Sequence, residues 1–229
     1  QVREIAGKAV SEGPFKIIIV EGQAGQGRTR FLEAVEQIVG DLRLPVRIVS
    51  GRGKNQPDQL IIEMMRQLMN VERMGAEDAL KIIRNKMEEA KVPDSEDTAQ
   101  LIAGFIGIDI PETLRTPKVQ HLLQGSNATE RRKESLVALT AYFDHLHLTK
   151  DHSLVMVADD LDTADAASLE VLAELHSRFQ DRRFVLVGSV QPDFETHIPW
   201  KEGTYQKIPL PQLTEEALRA MMVHHLQGK

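Results

Sequence analysis

Residues 16–30, KIIIVEGQAGQGRTR, constrain the fold of this chain more than any other stretch. Four β-branched residues in a row, at positions 17–20, predict a strand that is buried on both faces. Gly22, Gly25 and Gly27 follow this strand, and a helical pattern begins at Arg28. The order of strand, glycine-rich loop and helix predicts a parallel sheet with a ligand at the carboxyl ends of its strands.

The glycines and the start of the helix match the phosphate-binding pattern G-x-x-x-x-G-K-[ST] at all positions but one. Gly22 and Gly27 have the required separation, and Thr29 lies where the pattern has a magnesium-binding hydroxyl. Arg28 replaces the lysine, and its planar guanidinium suits a forked contact from outside the phosphates, so we expect binding with poor hydrolysis. The predicted nucleotide-binding residues are Gly22, Gln23, Ala24, Gly25, Gln26, Gly27, Arg28, Thr29 and Arg30.

A second buried strand ends in two carboxylates. Residues 153–158, SLVMVA, run directly into Asp159 and Asp160. A nucleotide-binding parallel sheet places such a pair beside its phosphate loop, where the first carboxylate holds magnesium and the second orients or activates water. We therefore predict Thr29 and Asp159 as magnesium ligands, and Asp160 and Arg28 as catalytic residues.

The remaining pattern alternates strands with helices. We expect a short helix at residues 2–10, a helix after the phosphate loop that Gly40 caps, and a strand at 46–49 followed by a polar turn. Residues 72–148 show only helical segments, which predict an insertion of three or four helices with an N-cap at Asn127 or Thr129. Further strands are expected at 183–187 and 205–210, and Asp165 or Ser168 and Thr214 are expected to open helices.

Composition narrows the class of protein. A chain of 229 residues with 41% hydrophobic content can bury a full core, and one domain with an insertion is the simplest interpretation. The net charge of -6 gives no general attraction to nucleic acid or to anionic membranes. The absence of cysteine excludes disulfides and thiolate metal sites and favours a cytoplasmic location. The missing initial methionine predicts a fragment of a longer protein.

Both motifs resemble those of a known family. GQAGQGRTRFLEAV is similar to G-x-x-G-x-G-K-[ST]-R-L-L, and LVMVADDLDTADAASLEVLAEL is similar to DD-L-x-W-A-D-x-x-S-L-x-x-L. These motifs belong to the STAND ATPases, the signal transduction ATPases with numerous domains. Their AAA-like modules occur in LuxR-type regulators and beside adenylyl cyclase and protein kinase domains. FVLVGSVQPD and IPLPQLTEEAL resemble the sensor strand and the start of the lid, so the likeness covers nearly the whole chain.

The resemblance implies a P-loop NTPase of three αβα layers with a mainly parallel five-stranded sheet, spanning residues 1–229 with a helical insertion at about 72–148. It implies ATP or ADP with Mg²⁺ and use as a switch within a multidomain protein, with the lid largely missing after residues 214–229. Three positions depart from the family: Arg28 replaces lysine, Thr163 replaces tryptophan and Gln191 replaces arginine. Two of these departures, at Arg28 and Gln191, change the charge chemistry aimed at the γ-phosphate.

Three hypotheses of function follow. The first is a regulatory domain that binds ATP or ADP, hydrolyses it weakly or not at all, and acts on neighbouring domains of its own chain, with nucleotide-dependent oligomerisation as a further expectation. The second is a pseudo-ATPase scaffold that binds no nucleotide and presents its helical insertion to a protein partner. The third is an active kinase or hydrolase with a small substrate. No base-reading motif separates ATP from GTP, and direct binding to nucleic acid or membrane is not expected.

Overall fold

A computed structural model describes residues 16–41, 46–53, 57–125, 128–146, 153–194 and 198–211. The strands are β1 (Lys16–Glu21), β2 (Val46–Arg52), β3 (Ser153–Asp159), β4 (Phe184–Val190) and β5 (Gln206–Pro209). The helices are α1 (Arg28–Asp41), α2 (Gln59–Met69), α3 (Ala76–Glu89), α4 (Ser95–Phe105), α5 (Pro117–Gly125), α6 (Ala128–His145) and α7 (Ala166–Arg178). Single-turn 3₁₀ helices lie at Glu112–Leu114 and Leu161–Thr163.

The described strands form one five-stranded sheet in the order β2-β3-β4-β1-β5. Every neighbouring pair is parallel. Because β1 lies between β4 and β5, the loop that follows it opens at the carboxyl edge next to the end of β4, and only β4 separates it from the end of β3. The predicted α/β fold of the P-loop NTPase type, with a parallel five-stranded sheet, is confirmed.

Helices cover both faces of the sheet. Alternate residues of β1 enter opposite layers: Ile18 and Val20 pack with Leu32 and Val35 of α1, whereas Ile17 and Ile19 belong to the larger core on the other face. That larger core also contains apolar residues of α2 and α7 and of the four helices between α2 and β3. Strands β1, β3 and β4 are therefore buried from both sides, which is why they contain continuous apolar runs.

Four helices, α3 to α6, separate α2 from β3. They pack on one another through α3 with α4 and α4 with α6. Phe143 of α6 contacts Phe179 and Phe184, with ring centroids 6.3 and 5.5 Å away, so an aromatic cluster joins this helix to the sheet. None of the helices in the described ranges has a stretch apolar and long enough to cross a lipid bilayer.

Three local expectations differ from the structure. Helix α1 continues through Gly40 to Asp41, so Gly40 is a helical residue and not a cap. Thr129 lies within α6, which begins at Ala128, and therefore does not precede it. Strand β2 extends to Arg52 because its pairing with β3 continues to Asp159. The helices expected at residues 2–10 and after Thr214, and the N-cap expected at Asn127, lie outside the described residues.

Candidate functional site

The loop between β1 and α1 has the backbone geometry that its glycines predict. Gly25 and Gly27 have φ values of +83° and +84°, a region that L side chains rarely adopt. The Gln23 backbone N–H donates to Oε1 of Gln26 over 2.5 Å, so this side chain lies against the loop. The loop is exposed at residues 23–25 and leads directly into the N-terminus of α1. Such an end offers unpaired N–H groups and a positive dipole to an anion.

Thr29 and Asp159 meet at the carboxyl edge of the sheet. The Thr29 hydroxyl donates to Oδ2 of Asp159 over 2.7 Å, although 130 positions separate the two residues. The other carboxylate oxygen, Oδ1, accepts from the Ser189 hydroxyl over 2.6 Å and from the Asp160 backbone N–H over 3.1 Å. Ser189 lies on β4, the neighbour of β3. The result is an oriented carboxylate beside a hydroxyl, which are hard oxygen ligands of the kind that Mg²⁺ prefers.

Two arginines hold the second carboxylate. Oδ1 of Asp160 accepts from Nη2 of Arg28 over 2.9 Å, and Oδ2 accepts from Nε and Nη2 of Arg52 over 2.9 and 2.7 Å. The Arg28 and Asp160 side chains are only 11% and 16% exposed, whereas Arg52 is 60% exposed. The hydrogen bond to Asp160, followed by the charges of Asp160 and Asp159, raises the pKa of Arg52. In this state each oxygen of Asp160 already accepts at least one N–H group.

A third carboxylate stands near Arg28. Oδ1 of Asp162 lies 3.9 Å from Nη1 of Arg28, within ion-pair range but too far for a hydrogen bond. Both atoms are buried, and neither has a hydrogen-bond partner among the residues that the structure describes. A buried guanidinium N–H without a partner can donate to an oxygen of a bound anion, so the site fits a phosphate group.

An acidic cavity of about 270 Å³ adjoins Thr29 and Asp159, between α1, β2 and α2. Glu33, Glu36 and Glu63 contribute its carboxylates. Burial, and to a smaller extent the charge of Glu33, raise the pKa of Glu36, while a hydrogen bond with the Ser50 side chain opposes the shift. The carboxylates of this cavity place negative charge around the predicted magnesium site.

The structure brings the predicted catalytic residues Arg28 and Asp160 into contact, and the predicted metal ligands Thr29 and Asp159 as well. Arg30 lies apart, since its exposed side chain reaches Glu33 at 3.8 Å on the surface of α1. Three residues at this site, Ser189, Arg52 and Asp162, were not among those predicted from the sequence. Arg52 and Ser189 lie at the ends of the strands that flank β3, so their position in a parallel sheet was the signal that could have indicated them.

Comparison with protein families matches residues 1–187 to the family described as the AAA ATPase domain. The chain belongs to this family. This AAA ATPase domain gives no significant match to any curated protein sequence.

Two solved structures share the fold of the AAA domain. The structure of the Aeropyrum pernix ORC2 protein in its ADP form has a TM-score of 0.52 and 15% identity, over 99% of this chain and 50% of that one. The structure of Drosophila ORC bound to DNA has a TM-score of 0.50 and 15% identity, over 99% of this chain and 45% of that one. The AAA domain thus spans about half the length of these chains.

Proposed function

We propose that this AAA domain binds ATP or ADP with Mg²⁺ and acts as a conformational switch that hydrolyses nucleotide slowly or not at all. We place it, on the motif resemblance, among STAND-class regulatory modules of larger signalling or transcription-regulatory proteins in the cytoplasm. The observation that carries the proposal is the contrast between the two neighbouring carboxylates. Asp159 lies beside Thr29 as a magnesium ligand would, whereas Asp160 is held by Arg28 and Arg52.

Nucleotide binding is supported by the loop and the first turn of α1. The positive φ of Gly25 and Gly27 turns the backbone toward the helix N-terminus, and Arg28 contributes a buried N–H that has no partner among the described residues. Magnesium, when bound, supplies charge neutralisation between phosphate oxygens. Thr29 and Asp159 are the residues that would hold it, and Ser189 fixes the Asp159 carboxylate.

Weak hydrolysis is supported by the state of Asp160. A general base needs a free oxygen within hydrogen-bond reach of the attacking water. Asp160 instead accepts three N–H groups from two guanidinium groups, which are the preferred forked partners of a carboxylate. Gln191 also favours weak hydrolysis. The STAND ATPases have an arginine at this position, and the neutral amide of Gln191 cannot stabilise the negative charge of the γ-phosphate.

We further propose that the nucleotide state acts on neighbouring domains of a larger protein, and that helices α3 to α6 contact protein partners or take part in oligomerisation. The Drosophila ORC structure contains DNA. We do not extend DNA binding to this chain, because its 28 basic residues are outnumbered by 34 acidic ones.

The test of nucleotide binding is calorimetric titration with ATP and with ADP, each with Mg²⁺, on the wild-type chain and on Asp159→Ala. We expect micromolar binding that Asp159→Ala weakens by about tenfold or more for the magnesium complexes. Asp144→Ala is the matched control, because Asp144 pairs with Arg178 at 2.6 Å on an exposed surface remote from this site. Absence of binding for both nucleotides would contradict the proposal and favour the scaffold function.

Hydrolysis is tested separately with Arg28→Lys. A lysine has no planar guanidinium to hold Asp160 in this way, and its compact ammonium suits the space between β- and γ-phosphates. We expect phosphate release by wild type to be near background and to rise with Arg28→Lys. A wild-type chain that already turns over and loses activity with Arg28→Lys would instead indicate an active enzyme that uses Arg28.

A further inference from the structure

Arg28 makes unequal contacts with its two acidic neighbours. Nη2 donates a hydrogen bond of 2.9 Å to Asp160, while Nη1 remains 3.9 Å from Asp162. Nη1 and Oδ1 of Asp162 are both buried without a hydrogen-bond partner among the described residues. Asp162 is thus close enough to attract the guanidinium electrostatically, but leaves the Nη1 hydrogens available to another acceptor.

The position of Asp162 is well defined. It occupies the 3₁₀ turn Leu161–Thr163, in which Leu161 is fully buried. The Thr163 hydroxyl donates to the carbonyl oxygens of Asp160 and Gly53, over 2.9 and 3.2 Å, and so holds the turn against the end of β2. Because the Asp162 side chain is only 9% exposed, solvent screens its charge weakly.

Arg28 stands where a phosphate loop has the lysine that contacts the β- and γ-phosphates. The γ-phosphate of a bound triphosphate would therefore contact the Arg28 guanidinium, which Asp162 already attracts. The carboxylate and the terminal phosphate are both anions, so they compete for the same Nη1 hydrogens. A diphosphate offers no γ-phosphoryl oxygen for this contact.

This inference rests on the proposed nucleotide binding. We propose that Asp162 is a positioning residue that sets the preference between nucleoside di- and triphosphates. It does so by competing with the γ-phosphate of a triphosphate for Nη1 of Arg28. In the diphosphate state Arg28 stays with Asp160 and Asp162. In the triphosphate state Nη1 turns from Asp162 to the phosphate. The charge of Asp162 therefore lowers affinity for ATP and leaves affinity for ADP nearly unchanged.

The experiment is calorimetric titration of Asp162→Asn with Mg-ATP and with Mg-ADP beside the wild-type chain. Asparagine keeps the size of the side chain and removes its charge. We expect the ratio of the ADP to the ATP dissociation constant to rise about tenfold, the size of one charge-assisted contact. Asp162→Glu should return the ratio to the wild-type value or below it, because its longer side chain reaches Nη1 more closely. Asp144→Asn removes a surface carboxylate and should leave the ratio unchanged.

The ratio separates this role from a structural one, which would change both affinities equally. An unchanged ratio in Asp162→Asn, with both nucleotides bound by wild type, would overturn the proposal and leave the proposed function standing. A chain that binds neither nucleotide would overturn both.

A second readout needs no nucleotide. A double-mutant cycle with Arg28→Gln and Asp162→Asn, followed by thermal unfolding, should show favourable coupling between the two residues. No coupling would overturn the proposal, since Asp162 would then not act on Arg28.

Discussion

Gly53, just after β2, has little space on one side because the backbone of Asp160 and Ala164 passes close to it. Its N–H donates to the Asp159 carbonyl oxygen over 2.7 Å, and its carbonyl oxygen accepts from the Thr163 hydroxyl. A Cβ atom at this position would lie 1.9 Å from the Asp160 carbonyl oxygen. Glycine is therefore needed here because a side chain would collide with the Asp160 backbone, and not because the backbone has an unusual φ angle.

The same substitution should have opposite effects at two glycines. We expect Gly53→Ala to lower the free energy of unfolding by about 3 kcal/mol, because backbone atoms must move to admit the methyl group. Gly40→Ala should raise it by about 0.5–1 kcal/mol, because Gly40 is helical and a Cβ there has no contact within 4 Å. Urea unfolding of both variants checks this. A destabilised Gly40→Ala would show that Gly40 does end the helix in a left-handed conformation.

At the scale of elements, one buried side chain joins the starts of two helices. Asp165 caps α7 through the Ser168 backbone N–H at 2.9 Å and the Ser168 hydroxyl at 2.7 Å. Its Oδ1 also accepts from the backbone N–H of Asp58, the residue before α2. Asp58 in turn forms a forked pair with Arg132 of α6 at 2.9–3.3 Å. This network connects the helical layer to the segment that follows the acidic pair.

Asp165→Ala should lower the free energy of unfolding by about 2 kcal/mol, because it removes a helix cap and leaves the Asp58 N–H without its acceptor. Asp165→Asn keeps an oxygen for the cap and should lose less than half of that. Denaturant unfolding of the two variants at neutral pH measures the difference. Equal losses would contradict a capping role, since they would mean that only the charge matters.

The network should also make stability depend on pH. Burial by itself raises the pKa of Asp165, but the hydrogen bonds from Ser168 and from the Asp58 backbone outweigh burial and lower the pKa below 3.8. A depressed pKa gives stability that is present above the unfolded-state value and lost as pH falls through the folded-state value. The stability difference between wild type and Asp165→Asn should therefore shrink when unfolding is repeated at about pH 3. A difference that grows on acidification would show that the charged form is not the favoured one.

For the whole molecule, the net charge determines whether binding to nucleic acid is expected. The chain carries a net charge of -6. Binding to the phosphate backbone of nucleic acid depends on a surplus of Lys and Arg on one surface and weakens as salt rises. The composition therefore gives no general electrostatic attraction to DNA.

We expect no saturable binding of a fluorescently labelled duplex of about 20 base pairs in anisotropy titrations up to about 50 μM protein at physiological salt, since nonspecific binding is electrostatic. The titration is done with and without Mg-ATP, so that a nucleotide-dependent surface is included. Binding that weakens with added salt would reveal a basic surface that the net charge conceals. A chain of similar size with a known basic DNA-binding surface is the positive control.

Local patterns in the sequence determined the main strands and the predicted magnesium ligands, Thr29 and Asp159. The apolar run before three glycines predicted β1 and its loop, and the run before Asp159 and Asp160 predicted β3, because burial on both faces and tight turns restrict residue type locally. Thr29 and Asp159 followed from motif spacing. Their contact across 130 positions follows from the parallel arrangement of β1 and β3 in one sheet.

Only the tertiary structure decided which residues surround the acidic pair. The strand order places β2 and β4 on either side of β3, and this order brings Arg52 to Asp160 and Ser189 to Asp159. Strand order depends on packing of the whole core, which periodicity does not encode. The pairing of Arg28 with Asp160 and its proximity to Asp162 are likewise contacts between side chains distant in sequence. The sequence by itself thus determined a phosphate-loop α/β domain, and the fold decided that its second carboxylate is held by two arginines.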